Sequence, residues 1–513
     1  MKNAAFRELP DFIKGYGSVK PFQGAFNDVT QKSTTKASIM PVFPGEEKLL
    51  KSMGEILDKV NIKDGMTISF HHHLRNGDFV LNMVVEEIAK RGIKDITVAA
   101  SSIFPVHEPL VNHIKNGVVT GIYTAYMSGA VAESISHGEL KNPVVMQTHG
   151  GRARAIESGD LHIDVAFIAA PTADSYGNIN GVYGKSACGA LGYAVADAEY
   201  ADKVVVITDN LVSYPACPIE ISQIKVDYVL KVESIGDPKG IVSGTTMVTK
   251  DPVGIKIAKM ATEVMMASGL VKDGLSFQTG AGGISLAVAE ELKYILKRDG
   301  IQGSFAAGGI TGYIVEMMEE GLFKNLFDVQ CFDLKAVESY RNNPAHQGMS
   351  AAMYGNPHNK GAVVNNLDVM ILGATEIDIN FNVNVTTASD GMIMGGSGGH
   401  SDTAAGAKLA IVVTNLVKAR LPIIKERVTT VTTPGESIDV VVTERGIAVN
   451  PLRTDLIDKL KKTKLPIMTI GQLKDKAEAM TGNPAEISFG EKIVGVVEYR
   501  DGSVIDVIRL LKG

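Results

Sequence analysis

The segment Lys63-Asp64-Gly65-Met66-Thr67-Ile68-Ser69-Phe70 returns 209 positions later as Lys272-Asp273-Gly274-Leu275-Ser276-Phe277. Four further echoes follow in the same order. Val85-Glu86-Glu87-Ile88 answers Ala289-Glu290-Glu291-Leu292 at an offset of 204, and Ala99-Ala100-Ser101-Ser102-Ile103 answers Ala306-Ala307-Gly308-Gly309-Ile310 at 207. Asp164 to Ile168 with Asp174-x-x-x-Asn178-Ile179-Asn180 matches Asp368 to Leu372 with Asp378-x-x-x-Asn382-Val383-Asn384 at a constant 204, and Asn210-Leu211-Val212 matches Asn415-Leu416-Val417 at 205. A repeat of this length means two copies of one domain, and it fixes the organisation before any secondary structure is assigned. The reading is an N-terminal arm over 1–45, a first domain over 46–235, a linker over 236–245 and a second domain over 246–513. The linker holds Gly236-Asp237-Pro238-Lys239-Gly240, the turn-rich composition of a boundary.

Within each copy, short apolar β-branched runs such as Ile96-Thr97-Val98-Ala99, Val204 to Ile207, Val369 to Leu372 and Ile411 to Val413 alternate with helix-like stretches over 77–91 and 283–298. Continuous apolar strands between helices imply a mostly parallel sheet covered on both faces, so the fold class is α/β. Ligands of such sheets bind at the carboxyl ends of the strands. The charge balance, 51 Lys and Arg against 57 Asp and Glu for a net −6, supplies no basic field for nucleic acid. No apolar run approaches the roughly 18 residues of a membrane span, and the start lacks the apolar core of a signal peptide, so a cytoplasmic protein is expected. Cys188, Cys217 and Cys331 contain no C-x-x-C pair and are expected to be buried apolar residues, not a disulfide framework or thiolate site.

Two Gly-rich turns stand out in the second copy. Gln278-Thr279-Gly280-Ala281-Gly282-Gly283 follows a strand and opens a helix, where main-chain N–H groups can bind an anion or a developing oxyanion, or where glycine serves only as a turn. Gly395-Gly396-Ser397-Gly398-Gly399-His400-Ser401-Asp402, running into a helix-like stretch over 404–413, has four glycines in five positions, a density that suits a ligand lying against the main chain. In the first copy, His71-His72-His73 ends a strand, so at most two of the three rings face one site. The spacing does not suit zinc, and no metal is expected; with Arg75 it suits a carboxylate-rich anion. His149-Gly150-Gly151-Arg152 is a second anion clamp or a solvated loop. Glu376 follows the Asp368 to Leu372 strand, as a site residue or as a solvated strand-end carboxylate.

The two Gly-rich halves, Glu376-Ile377-Asp378 and Gly396-Ser397-Gly398-Gly399-His400-Ser401-Asp402 resemble the coenzyme A-transferase superfamily. Gly65 to His72, His149 to Arg152, Glu376 to Val385, Ser397 to Ala407 and the tail Tyr499 to Arg509 resemble, more narrowly, the citrate lyase alpha subunit family over nearly the whole chain. The resemblance implies two tandem coenzyme A-transferase-like domains with the active site in the cleft between them. It further implies an exchange of acetyl for citryl on an acyl carrier subunit, releasing acetate. The partners implied are a gamma (acyl carrier) subunit, whose phosphoribosyl-dephospho-coenzyme A group carries the thiol, and a beta subunit that cleaves citryl thioester to oxaloacetate. No cofactor is expected on this chain itself, and acetyl-coenzyme A is the expected surrogate donor.

Many of these transferases place a nucleophilic Glu where this chain has Gly308-Gly309. Without that oxygen, a covalent enzyme thioester loses its usual residue, and direct attack by a citrate carboxylate becomes the expected route. Gly308, Gly309, Gly280, Gly282, Gly283, Gly396, Gly398 and Gly399 are expected to supply main-chain contacts to the carrier arm or the oxyanion. Arg75, His72, His149 and Arg152 are expected to bind citrate, and Glu376 or His400 to orient groups or move protons. Citramalate as the acid substrate, a nicotinamide-dependent oxidoreductase and a non-catalytic scaffold are the competing readings. The oxidoreductase lacks a Gly-x-Gly-x-x-Gly after a first strand and leaves the repeat unexplained.

Overall fold

A computed structural model describes residues 1–27, 41–242, 248–280, 282–483 and 487–512. The repeat folds as two sheets with one topology. In the first, the strands Val144–Met146, Val119–Thr124, Ile96–Ala100, Thr67–Phe70, Val165–Ala170, Lys203–Thr208 and Tyr228–Lys231 lie side by side in that order and run parallel. In the second, His346–Gly348, Phe323–Cys331, Gly303–Ile310, Ser276–Thr279, Val369–Leu372, Leu409–Val413 and Val440–Thr443 repeat the order. Helices cover both sheets. Val80–Lys90, for instance, buries Val80, Leu81, Val84, Val85 and Ile88 on one stripe. The helix expected after Gly399 is His400–Gly406, and the apolar residues beyond it form the strand Leu409–Val413.

Several repeated polar residues turn out to be fold-building. Asp164 Oδ2 accepts from Thr67 N at 2.7 Å, and its counterpart Asp368 accepts from Ser276 N at 2.9 Å. Asp227 and Asp439 likewise accept from Val204 N and Ala410 N, at 2.8 and 2.7 Å. The Asp-x-x-x-Asn motif closes the same turn twice: Asn178 N donates to Asp174 at 3.2 Å and Asn382 N to Asp378 at 3.0 Å. Each pair stitches neighbouring strands where the ladder alone leaves an N–H unpaired.

The tail departs from the expected second domain. Phe489–Glu498 and Val504–Leu511 form a hairpin whose first strand adds in parallel to Val144–Met146, so residues 489–511 extend the first sheet. The N-terminal arm is also not a free arm over its first 22 residues. Asn3 donates to Val504 O and Ile505 O at 3.2 and 2.8 Å, Arg7 Nε donates to Asp506 at 2.5 Å, and Phe22 packs edge-on against Tyr499 with centroids 4.9 Å apart. Leu9, Ile13 and Val19 are buried with Val496 and Val504. The physical reason is that an open edge strand and an apolar arm each need a cover. The last linker residues, 243–245, lie outside the described residues, and Gly236 to Ile241 pack against Gly77. Cys188 and Cys331 are buried as expected, whereas Cys217 is exposed in a first-half loop. No helix among the described residues is long and apolar enough to cross a membrane.

Candidate functional site at the junction of the halves

The carboxyl ends of both sheets meet. After the strand Thr67–Phe70 the chain turns so sharply that Arg75 takes a left-handed φ of 50°, and the three histidine rings pack inward. His71 and His73 face each other with centroids 4.2 Å apart, while His72 points the other way, onto Ser101 Oγ at 2.6 Å and the Tyr193 ring at 4.4 Å. Tyr193 packs in turn against His149, centroids 4.5 Å apart and the rings tilted by 45°. His149 N donates to Gly398 O at 2.8 Å, which brings the second half's Gly-rich loop against the first half. The same loop is bound at Met127 N to Gly395 O, 3.1 Å, and at Gly398 N to Ala125 O, 3.0 Å.

Here glycine is required by contact. A Cβ on Gly396 would lie 2.3 Å from Ala125 O, and one on Gly399 2.2 Å from the Tyr354 hydroxyl. Gly396 thus permits close approach of the two halves and Gly399 close packing within the second, and the N–H groups of Gly396 and Gly398 are already donated to Val385 O and Ala125 O. On the second sheet, Gly308 has φ 106° and leaves the space that the Gln278 side chain fills, while Gly309 faces the Phe332 ring. Gln278 Nε2 donates to the Tyr354 hydroxyl at 2.8 Å, and Gln330 Nε2 donates to His72 O at 2.8 Å. The first of the two glycine turns opens the helix Gly283–Asp299 with Gly282 as its cap, as expected; Gly280 N is spent on Ile371 O at 2.9 Å, and Ala281 lies outside the described residues.

Arg75 sits between the Phe104 and Phe332 rings, its guanidinium carbon 5.5 and 4.6 Å from their centroids, so the two halves clasp one cation by its faces. Among the described residues no carboxylate lies within ion-pair distance of it. Burial lowers its pKa, but a guanidinium stays charged. The imidazoles, by contrast, are neutral: burial pushes His149 down to about 3 and His71 down to about 4, and holds His72 well below its ordinary value, with its neighbours His149, His73 and Arg75 adding to the effect.

Three expected site residues are engaged elsewhere. Arg152 lies in the first turn of the buried helix His149–Ser158, not in a solvated loop. It forms a two-pronged pair with Asp197, at 2.8 and 2.7 Å, and donates to Ala99 O, so it is no free anion clamp. Glu376 is fully buried. It pairs with Lys425 and accepts from Asn384 Nδ2 at 2.9 Å and Thr429 N at 2.8 Å; burial alone would raise its pKa, but these partners hold it below its ordinary value. His400 is held at both nitrogens, by Thr433 Oγ1 at 2.7 Å and Gly373 O at 2.9 Å, and burial pushes it down to about 4. Neither has an idle proton-carrying atom. A surface groove of about 800 Å³ beside the C-terminal hairpin is lined by Arg7, Lys425, Arg427, Thr429 and Arg509. Its Arg7 and Lys425 are already paired with Asp506 and Glu376, and none of His72, Arg75, His149 or Gln330 lines it.

The junction also contains residues that sequence reading missed. Gln278, Gln330, Tyr193, Tyr354, Asp402 and Arg500 come from six different elements or loops. Asp402 accepts from Thr148 Oγ1 at 2.8 Å and Gly150 N at 2.9 Å, with Arg500 3.6 Å away. Burial raises its pKa to about 6. Gln278, Asp402 and Arg500 stood inside segments already singled out, though without a role, whereas Gln330, Tyr193 and Tyr354 stood in none.

The family model "Citrate lyase, alpha subunit (CitF)" matches residues 46–511. The chain belongs to the citrate lyase alpha subunit family. It is therefore an enzyme subunit of the coenzyme A-transferase kind. It is 52% identical over 467 residues to the citrate lyase alpha chain of Haemophilus influenzae, covering 91% of this chain and 93% of that one. The corresponding chain of Klebsiella pneumoniae is 49% identical, with 91% and 92% covered. A Streptococcus mutans structure, described as an alpha subunit of citrate lyase in complex with citrate, superposes with a TM-score of 0.96 at 51% identity, covering 100% of both chains. A 4-hydroxybutyrate coenzyme A-transferase of Porphyromonas gingivalis, at a TM-score of 0.55 and 17% identity, shares the fold over 84% of this chain and 96% of its own.

Proposed function

We propose that this subunit transfers a carrier thiol from acetyl to citryl: acetyl thioester and citrate give citryl thioester and acetate, the first half of citrate cleavage. In the proposed route a citrate carboxylate oxygen attacks the acetyl carbonyl and expels the carrier thiolate, leaving a citric–acetic anhydride. The thiolate then attacks the citryl carbonyl and acetate leaves. No enzyme carboxylate is acylated.

The observation that supports this direct route is that three carboxylates nearest the junction among the described residues are already held by the fold. Glu376 is bound to Lys425, Asn384 and Thr429; Asp402 to Thr148 and Gly150; Asp328 to His346, Cys331 and Gln330 N. Gly308 and Gly309 carry no oxygen nucleophile. The protein is then asked for positioning and charge stabilisation. Arg75, desolvated between two rings and free of a carboxylate partner, is the cation that would take a citrate carboxylate. His72 and His149 would line the site as neutral hydrogen-bonding rings. The carrier arm, with its phosphoribosyl-dephospho-coenzyme A thiol on a gamma subunit, would approach along the helix start at Gly282 and Gly283, and a beta subunit would consume the citryl thioester.

The test is to mix the chain with citrate and acetyl-coenzyme A and follow acetate and citryl thioester, with citramalate in parallel. Formation of both products is expected. After adding acetyl donor alone, borohydride should leave every Glu and Asp intact in peptide mass analysis. A stoichiometrically reduced carboxylate would overturn the direct route, and absence of both products would overturn the reaction.

A further inference from the structure

Gln330 is fully buried, and its orientation is fixed by two main-chain carbonyls. Its Nε2 donates to His72 O at 2.8 Å and His73 O at 3.4 Å, so the other end of the amide must be the oxygen. That Oε1 is buried without a partner. Gln330 stands opposite Gly309 across the strand ladder, and two residues on, Phe332 packs on Arg75. On the neighbouring side of Gly308, Gln278 presents a second unpartnered buried amide oxygen. A carbonyl oxygen only accepts, and an acceptor buried without a donor costs free energy that a folded protein rarely leaves uncompensated. A fully ionised tricarboxylate brings no donor of its own except a hydroxyl.

We propose that Gln330 Oε1 accepts the hydroxyl hydrogen of the acid substrate and so selects a hydroxylated tricarboxylate over its deoxy analogue. This rests on the citrate reading above. Arg75 takes a carboxylate, and Gln330, held from the opposite half, reads the hydroxyl beside it, so specificity is assembled only when the two halves close. No proton is transferred in this step.

The experiment compares citrate with propane-1,2,3-tricarboxylate, which differs only by lacking the hydroxyl, in the acetyl-coenzyme A assay. The native chain is expected to prefer citrate in kcat/KM by about 10- to 100-fold, the effect of one buried acceptor left unpaired. Gln330→Met should reduce that ratio to within about threefold, with KM for citrate raised more than KM for the deoxy acid. Gln330→Glu keeps an oxygen at the position and should retain the preference even if both rates fall. A Gln330→Met chain that loses both acids equally, or keeps the native ratio, overturns the proposal, because packing damage or a contact to the carrier arm cannot distinguish the two acids. If the native chain turns over neither acid, the functional reading itself has failed, which is a separate outcome.

Discussion

Arg75 illustrates how a single side chain is prepared for an anion. Its charge is taken out of water without a compensating carboxylate, and the faces of Phe104 and Phe332 return only part of the lost hydration. A bound carboxylate would return the rest. Arg75→Gln should therefore raise KM for citrate about 10- to 100-fold, from the loss of a charge-assisted hydrogen bond, with little change in thermal unfolding; an unchanged KM would remove Arg75 from the site. Glu376 carries the opposite prediction. Glu376→Gln leaves Lys425 buried without its partner and should cost about 3–5 kcal/mol in denaturant unfolding, whereas adding Lys425→Met should restore most of it. A stable double variant that retains turnover would fix Glu376 as structural. If it is stable but inactive, the carboxylate takes part in the chemistry.

At the scale of elements, the Gly-rich loop over 395–399 and the start of the helix His149–Ser158 act as the seam between the halves. A Cβ on Gly150 would lie 2.1 Å from Gly355 O, a main-chain atom with little room to move. Gly150→Ala should separate the helix from Ala351–Gly355, lowering kcat at least 100-fold and the unfolding midpoint with it. Native-like turnover in that variant would mean that the seam is not needed closed. The repeat accounts for much else at this scale. Thr172 occupies in the first copy the position that Glu376 holds in the second, while the Asp-x-x-x-Asn turn beside each is shared. What is shared builds the fold, and at this exception the second copy carries a buried Glu376–Lys425 pair instead.

Across the whole molecule, buried ionisable groups set the response to pH. Burial holds His71 and His400 near 4 and His149 near 3, below the roughly 6.5 of an unfolded chain. Their contribution to stability is complete above that value and is lost as pH falls toward 4 and below, because the unfolded chain binds the extra protons. Asp402, raised by burial to about 6, and Glu220, raised to about 7, work the other way: their contribution is present at low pH and is lost as pH rises through 6 to 7. Thermal unfolding should thus show a maximum midpoint near pH 6 to 7, falling steeply on the acid side. A midpoint that keeps rising between pH 6 and 4 would contradict the neutral, buried imidazoles.

The duplicated α/β architecture was legible in the sequence because a strand buried on both faces must be apolar throughout and a turn after it must hold the same few residues, so two copies leave matching strings. Glycine density marked a place of close main-chain approach, read as a ligand cradle, where the structure puts the other half at Ala125. Which partner it was, and what each charged residue faces, depended on contacts between positions hundreds of residues apart. Arg152 and Glu376 read as free charges until Asp197 and Lys425 were seen beside them, and the tail read as the end of the second domain until it paired with Val144–Met146. Local pattern records what a residue needs from its own strand or turn. Burial, pairing and pKa belong to the environment that folding assembles, and that environment separated Arg75 and Gln330 from the other polar residues of the chain.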